Sequence, residues 1–355
     1  MIETRRSCPV RRRYLRMRSA MVMILMLLGT ALLLTGCPAP EADKHLTMVV
    51  VDQLGRRVQV PRELTRISAM HHFGGKIVYA LGQQHKLVEQ DLYGMEARAL
   101  SAVDPRFKAL PKTLDNRGLN VEHLVGLGPQ CVFVYASDTA DRQKLENAGI
   151  PAVAIKGETL EESFAAVRLM AQVLGCADKG QAYIADCRRL LDLVHERLKD
   201  IPPEKYRRVL FTGPKGIYTV ATGQMLQSEI LMRAGAVNVA ASVQGNWAEV
   251  SPEQVATWNP DMIFLGSKLG AYGVDEIYQN PHFTSLKAIR ERRVYVFPSN
   301  IGWWDFPAPH CVLGVLWAAK TLYPQRFQDV DLRAIADGFY AKYLGYSFTT
   351  LGGRL

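Results

Sequence analysis

Ser251 to Leu265 reads SPEQVATWNPDMIFL, and Asn120 to Val134, 131 residues earlier, reads NVEHLVGLGPQCVFV. The two align without a gap: a capping residue, a Glu two places on, spaced apolar positions, a shared Pro, then an apolar run. Ser and Asn favour helix N-caps because their side-chain oxygens accept first-turn N–H groups. A short apolar run bounded by turn residues is the signature of a strand buried on both faces. Each copy therefore predicts a cap, a short helix, a Pro-containing turn and a central strand. A chain that writes this unit twice is expected to contain two similar halves.

Outward from these units, both halves alternate strand and helix. In the first, TMVVVDQLGRRVQVP (47–61) sets apolar stretches on either side of Leu54-Gly55, the pattern of a β-hairpin. RISAM (66–70), LVEQ (87–90), CVFVYA (131–136) and AVAI (152–155) read as strands, and KIVYALGQ (76–83) reads as a helix. In the second, RRVLFTG (207–213), YTVATG (218–223), MIFLG (262–266) and RVYVFP (293–298) read as strands. Helices are expected at 227–234, 252–258, 275–278 and 311–322. Between the halves, Asp178 to Asp200 lacks Pro and carries one apolar stripe: Tyr183, Ile184, Cys187, Leu190, Leu191, Val194 and Leu198. That helix would be about 34 Å long and stops before Pro202-Pro203. The expected fold is α/β: two lobes with central, mainly parallel sheets, spanning 47–177 and 201–355. One long helix over 178–200 joins them, and a cleft lies between.

The first residues read as targeting rather than fold. Residues 1–19 carry seven Arg and one acid, and Ala20 to Leu34 is a charge-free apolar run, shorter than a bilayer span. Leu34-Thr35-Gly36-Cys37 resembles a bacterial lipobox, so 1–36 is expected to be a lipoprotein signal peptide and Cys37 a lipidated N-terminus. Residues 37–46 form a linker. Arg11-Arg12-Arg13 resembles a twin-arginine signal, which leaves two export routes open. Removing 1–36 leaves 36 Lys and Arg against 33 acids, a balance of +3 in place of +9. The basic pI thus belongs mainly to the export segment, and no basic run remains to argue for nucleic acid.

Catalytic signatures fall short. His195-Glu196-Arg197-Leu198-Lys199 begins like HExxH, but Lys199 replaces the second ligand. There is no GxSxG, SxxK or Walker-type loop. Cys131 and Cys311 sit in apolar runs as packing residues, while Cys176 and Cys187 have no metal spacing and leave a disulfide open.

In open α/β sheets, ligands sit beyond the carboxyl ends of the strands. The residues there are His71-His72-Phe73 after RISAM, Ser137-Asp138 after CVFVYA, and Lys215 after LFTG. Ser267, Lys268 and Tyr272 follow MIFLG, Trp247 precedes the second repeat, and Trp303-Trp304-Asp305 follow VFPSN. Aromatic faces mixed with His, Lys and Asp suit a bulky, partly planar or metal-chelating ligand.

The hairpin after a lipobox, NVEHLVGLGPQCVFV, SPEQVATWNPDMIFLG and NPHFTSLKAIRERRVYVFP together resemble the periplasmic binding proteins of ABC importers for ferric siderophores, haem and cobalamin. The resemblance covers roughly residues 47–325. It implies two α/β lobes on a rigid helix, with the bound compound carried as cargo and no cofactor. It also implies that Glu122 and Glu253, beyond complementing their helix dipoles, dock on arginines of an ABC permease that works with its ATPase subunits. Gly128-Pro129-Gln130 departs from the family, which has an acid after the Pro. The expected protein is a monomer, exported and lipid-anchored, that binds no nucleic acid and is not an enzyme. An iron complex is the first ligand, with cobalamin, haem, a molybdate-type oxyanion or a free metal ion held by His71, His72 and Asp305 as alternatives. A periplasmic metalloenzyme or metallochaperone, drawing also on His282 and His310, is the remaining class.

Overall fold

The computed structural model describes residues 46–355, apart from 93, 116–117, 214, 267–272, 299 and 309. Strands β1 (Thr47–Val51) and β2 (Arg57–Pro61) form an antiparallel hairpin. Asp52 pins its turn: its carboxylate accepts the N–H groups of Leu54 and Arg56 at 3.0 Å each and that of Ala154 at 3.2 Å. β3 (Ile67–Ala69) leads into α1 (His72–Ala80), followed by α2 (Gly94–Val103) and the short pair β4 (Leu114–Asp115) and β5 (Gly118–Leu119). Then come α3 (Val121–Gly126), β6 (Cys131–Tyr135), α4 (Thr139–Asn147), β7 (Ala152–Ile155) and α5 (Leu160–Val173). β3, β6 and β7 make a parallel sheet in that order, with every β6 and β7 residue buried.

LVEQ does not form the expected strand. Leu87 makes a single parallel bridge to Ile67, because Glu89 turns inward to accept from Ser68 Oγ at 2.9 Å and Ala69 N at 3.0 Å.

The connecting helix α6 spans Ala177–Leu198, 22 residues, or about 33 Å. Tyr183, Ile184, Cys187, Val194 and Leu198 are buried along one stripe, while His195 is exposed in the last turn. Cys176 and Cys187 are both free thiols; Cys131, Cys187 and Cys311 are buried and Cys176 is half-buried.

The second lobe runs β8 (Arg207–Gly213), β9 (Gly216–Ala221), α7 (Leu226–Arg233), β10 (Ala236–Asn238), β11 (Trp247–Glu249), α8 (Pro252–Trp258) and β12 (Met262–Leu265). It continues with α9 (Val274–Gln279), α10 (Lys287–Arg290), β13 (Val294–Val296), α11 (Cys311–Leu322) and α12 (Leu332–Leu344). The sheet order is β11-β9-β8-β12-β13, with β10 also on β8. β8, β10, β12 and β13 pair in parallel, and β9 pairs antiparallel with both β8 and β11. α11 is apolar nearly all round and correspondingly buried. α12 returns to the connecting helix, where Tyr343 packs on Tyr183 at 4.7 Å between ring centroids and its hydroxyl donates to Asp186.

The repeated sentence folds as a repeated device. Asn120 caps α3 by accepting His123 N at 3.0 Å, and Ser251 caps α8 by accepting Gln254 N at 3.2 Å. Past the Pro, Gln130 accepts Arg66 N at 3.0 Å and Asp261 accepts Arg208 N at 2.9 Å, each tying the turn to the neighbouring strand. Arg66 in turn donates to Leu127 O and Arg208 to Trp258 O, matching positions at the end of each short helix. Gln130 therefore fills the family's acid position with the same hydrogen bond.

Candidate functional site

The carboxyl ends of both sheets meet around a cavity of about 280 Å³. One wall is His71, His72, Tyr135 and Glu158; the other is Met225 to Gln227, Asn246, Trp247, Phe306 and Pro307. Two larger hollows, about 340 and 540 Å³, lie elsewhere. The first sits where the end of α1 meets α12, and the second is an apolar hollow near Trp317 and Leu355. Neither gathers strand ends from both lobes, so the smaller cavity is the candidate site.

His71 is the N-cap of α1, and its Nδ1 accepts Phe73 N at 3.3 Å. A neutral imidazole that accepts on Nδ1 carries its proton on Nε2, so the other nitrogen is a donor. No acid lies in the first turn of α1, whose N–H groups and dipole favour negative charge. His71 stacks on Tyr135 at 4.4 Å and meets His72 at 4.0 Å. The Tyr135 hydroxyl donates to the Glu158 carboxylate; burial first, and that carboxylate second, push its pKa up.

The rings continue across the cleft. His72 meets Trp303 edge-on at 5.7 Å, Trp303 meets Phe306 at 5.6 Å, and Phe306 meets Trp247 at 6.2 Å. Tyr135, His71, His72, Trp303, Phe306 and Trp247 thus form a belt from one lobe to the other. Two glycines permit the approach. A Cβ on Gly213 would stand 2.4 Å from the Trp247 ring, and one on Gly157 would stand 2.7 Å from the Phe73 ring.

Other expected ligand residues lie elsewhere. Phe73 is fully buried, packed against Gly157 beneath the loop that carries Glu158. Trp304 is also fully buried, donating Nε1 to the Tyr340 hydroxyl at 2.9 Å, which places it in the core and not on the cavity wall. Asp305 is buried too: its backbone oxygen takes Gln227 Nε2 at 2.7 Å, while its carboxylate lies toward Gly266. Lys215 is exposed beside the β8–β9 turn and is absent from the cavity lining. Lys268, Tyr272 and Cys37 fall outside the described residues.

Among the described residues no group of three His, Cys, Asp or Glu is placed to hold a metal ion. His310 is fully buried, and burial with the nearby Lys76 holds its pKa well below the usual value. His282 is exposed.

Sequence reasoning missed Tyr135, Glu158, Gln227 and Phe306. The first two follow from the strand-end rule, since Tyr135 closes β6 and Glu158 stands three residues past β7. Glu122 and Glu253 are exposed in the first turns of α3 and α8. First-turn backbone N–H bonding and the Ser251 hydroxyl lower the Glu253 pKa.

The periplasmic binding protein family matches residues 67–301, and the chain belongs to that family. Its members are solute-binding proteins of ABC importers, exported to the periplasm, whose bound compound is cargo and not a cofactor. The chain is 28% identical over 333 residues to the molybdate-binding protein MolA of Haemophilus influenzae, covering 84% of this chain and 92% of that one. It is 26% identical over 257 residues to a vitamin B12-binding protein of Vibrio parahaemolyticus, covering 71% and 86%. Among solved structures, MolA bound to molybdate superposes with a TM-score of 0.72 at 26% identity, covering 84% and 98%. A periplasmic solute-binding protein of Veillonella parvula gives 0.74 at 27%, covering 85% and 94%. The two-lobe α/β fold on a long helix is thus that of the family.

Proposed function

We propose that this chain binds a compact oxyanion of the molybdate type and hands it, chemically unchanged, to an ABC permease. The observation that carries the reading is the imidazole pair at the N-terminus of α1, where the helix dipole favours negative charge, on the wall of a cavity of about 280 Å³. The likeness to a molybdate-binding relative over most of both chains supports it. In this reading Glu122 and Glu253 dock on permease arginines, and Cys37 carries the lipid that holds a monomer at the membrane.

The iron complex expected first from sequence is the second reading. The six-ring belt favours it, because a chelate presents flat organic surface to stack on. Calorimetric titration with molybdate, tungstate, a ferric catecholate and cobalamin separates them. Saturable 1:1 binding of molybdate and tungstate alone supports the oxyanion. Binding of the ferric complex alone replaces it with the iron reading.

A further inference from the structure

We infer that Asn246 is the donor through which the second lobe grips the ligand, its side-chain amide bonding an oxyanion oxygen across the cavity from the imidazole pair. This deepens the oxyanion reading above and rests on it. Among the residues that the second lobe sets on the wall, Met225, Leu226, Phe306 and Pro307 carry no side-chain N–H or O–H. Gln227 is 2% exposed and commits its Nε2 to the Asp305 backbone oxygen at 2.7 Å. Asn246 is exposed, and among the described residues its amide has no hydrogen-bond partner. Trp247 beside it lays its ring on Gly213.

The backbone that presents this amide is fixed on both sides. Before it, Thr222 Oγ1 donates to Gly245 O, and Gly245 holds a φ of 91°, which glycine adopts without strain. After it, Trp247 pairs with Ala221 in the β9–β11 ladder. The loop also lies hard against the end of β9: a Cβ on Gly223 would stand 2.2 Å from Ala241 O. A held backbone leaves only the side chain to be ordered when ligand arrives, so little of the binding energy is lost to entropy. Across the cavity, by contrast, the Tyr135 hydroxyl is already given to Glu158. An oxyanion without a proton can only accept hydrogen bonds, and an Asn amide offers two N–H donors. A bond of that kind to a charged acceptor is stronger than one between neutral groups. A flat chelate held by ring stacking would not depend on it.

Calorimetric titration with molybdate and with tungstate tests the assignment on the wild-type protein and on variants of Asn246. Asn246→Ala should weaken both ions on the order of ten- to hundredfold, the range of a lost hydrogen bond to a charged group. Asn246→Ser, which keeps a donor on a shorter arm, should lose less. Asn246→Asp has the same shape but only acceptors and a negative charge, and should bind more weakly than the Ala variant. All of them should melt with the wild type, because the side chain is exposed and bonds to no described residue. Wild-type affinity in the Ala variant, or an Asp variant that binds as well as Ala, would overturn the inference while leaving the oxyanion reading intact. A wild-type protein that binds neither ion overturns that reading, and the inference with it.

Discussion

Glu229 in α7 accepts the backbone N–H of Leu160, the first residue of α5, at 2.8 Å. A side chain of one lobe thus caps a helix of the other. Thr159 satisfies a second first-turn donor by accepting Glu162 N at 3.1 Å, and Arg233 Nε steadies Glu229 at 2.8 Å. Replacing Glu229 with Ala should cost about 1 kcal/mol, the range of a lost cap, whereas Gln, which retains an acceptor, should cost less. Urea unfolding checks this; an unchanged midpoint in the Ala variant would deny the clasp.

Ligand binding should change tryptophan emission, and the structure says which indole reports it. Trp247 and Trp303 stand in the ring belt, while Trp304 is fully buried against Phe348 and Tyr340. The response to molybdate should survive Trp304→Phe and fall sharply in Trp247→Phe. A response lost only with Trp304 would move the site away from this cavity.

Glu89 predicts a pH dependence with a definite sign. Burial raises its pKa to about 7, against the lowering effect of its bonds to Ser68 and Ala69. Asp91 is likewise raised to about 7, first by burial, with Lys112 lowering it and Asp138 raising it. A carboxyl raised on folding binds more protons in the native state, so stability is fullest below about pH 4 and falls as pH climbs toward 7. Glu89→Gln keeps the acceptor oxygen for Ser68 and Ala69 and removes the charge. It should flatten the fall and stabilise the protein at pH 8 by about 3 kcal/mol. Denaturation curves at pH 5 and 8 that shift in parallel for both proteins would contradict this.

Reversing both carboxylates proposed to dock should separate folding from transport. Glu122 and Glu253 are exposed, so Arg at both positions should leave the melting temperature and oxyanion affinity near wild type. Loss of a desolvated partner in the docked complex costs about 2–5 kcal/mol, enough to abolish uptake and permease-stimulated ATP hydrolysis. Single reversals should give partial defects. Normal uptake by the double variant would return both residues to a helix-dipole role.

The parts of the fold legible in sequence were those with a buried face of regular period. The α6 stripe from Tyr183 to Leu198 and the paired helix–turn–strand units repeat their burial at fixed spacing, and pattern reading detects that. LVEQ has a strand's composition, yet its Glu turned inward to the Ser68 hydroxyl and the Ala69 N–H, a tertiary choice no local pattern carries. The WWDF loop failed for a related reason. Neighbouring side chains in an irregular loop have no period, so nothing distinguished Trp303 in the belt from Trp304 in the core, or marked Phe306 as lining. Tyr135 and Glu158 were reachable, since strand ends were already known to be where ligands sit.

The state of the thiols has a practical use. Of the four cysteines among the described residues, three are buried and only Cys176, immediately before the connecting helix, is partly open to solvent. Burial raises its pKa, so a maleimide reagent should label it best under mildly alkaline conditions. A spin label there, paired with one on a cysteine introduced at exposed Ser242 in the second lobe, would serve as a ruler across the cleft. The native sequence around both lobes would stay in place while the distance is read with and without cargo.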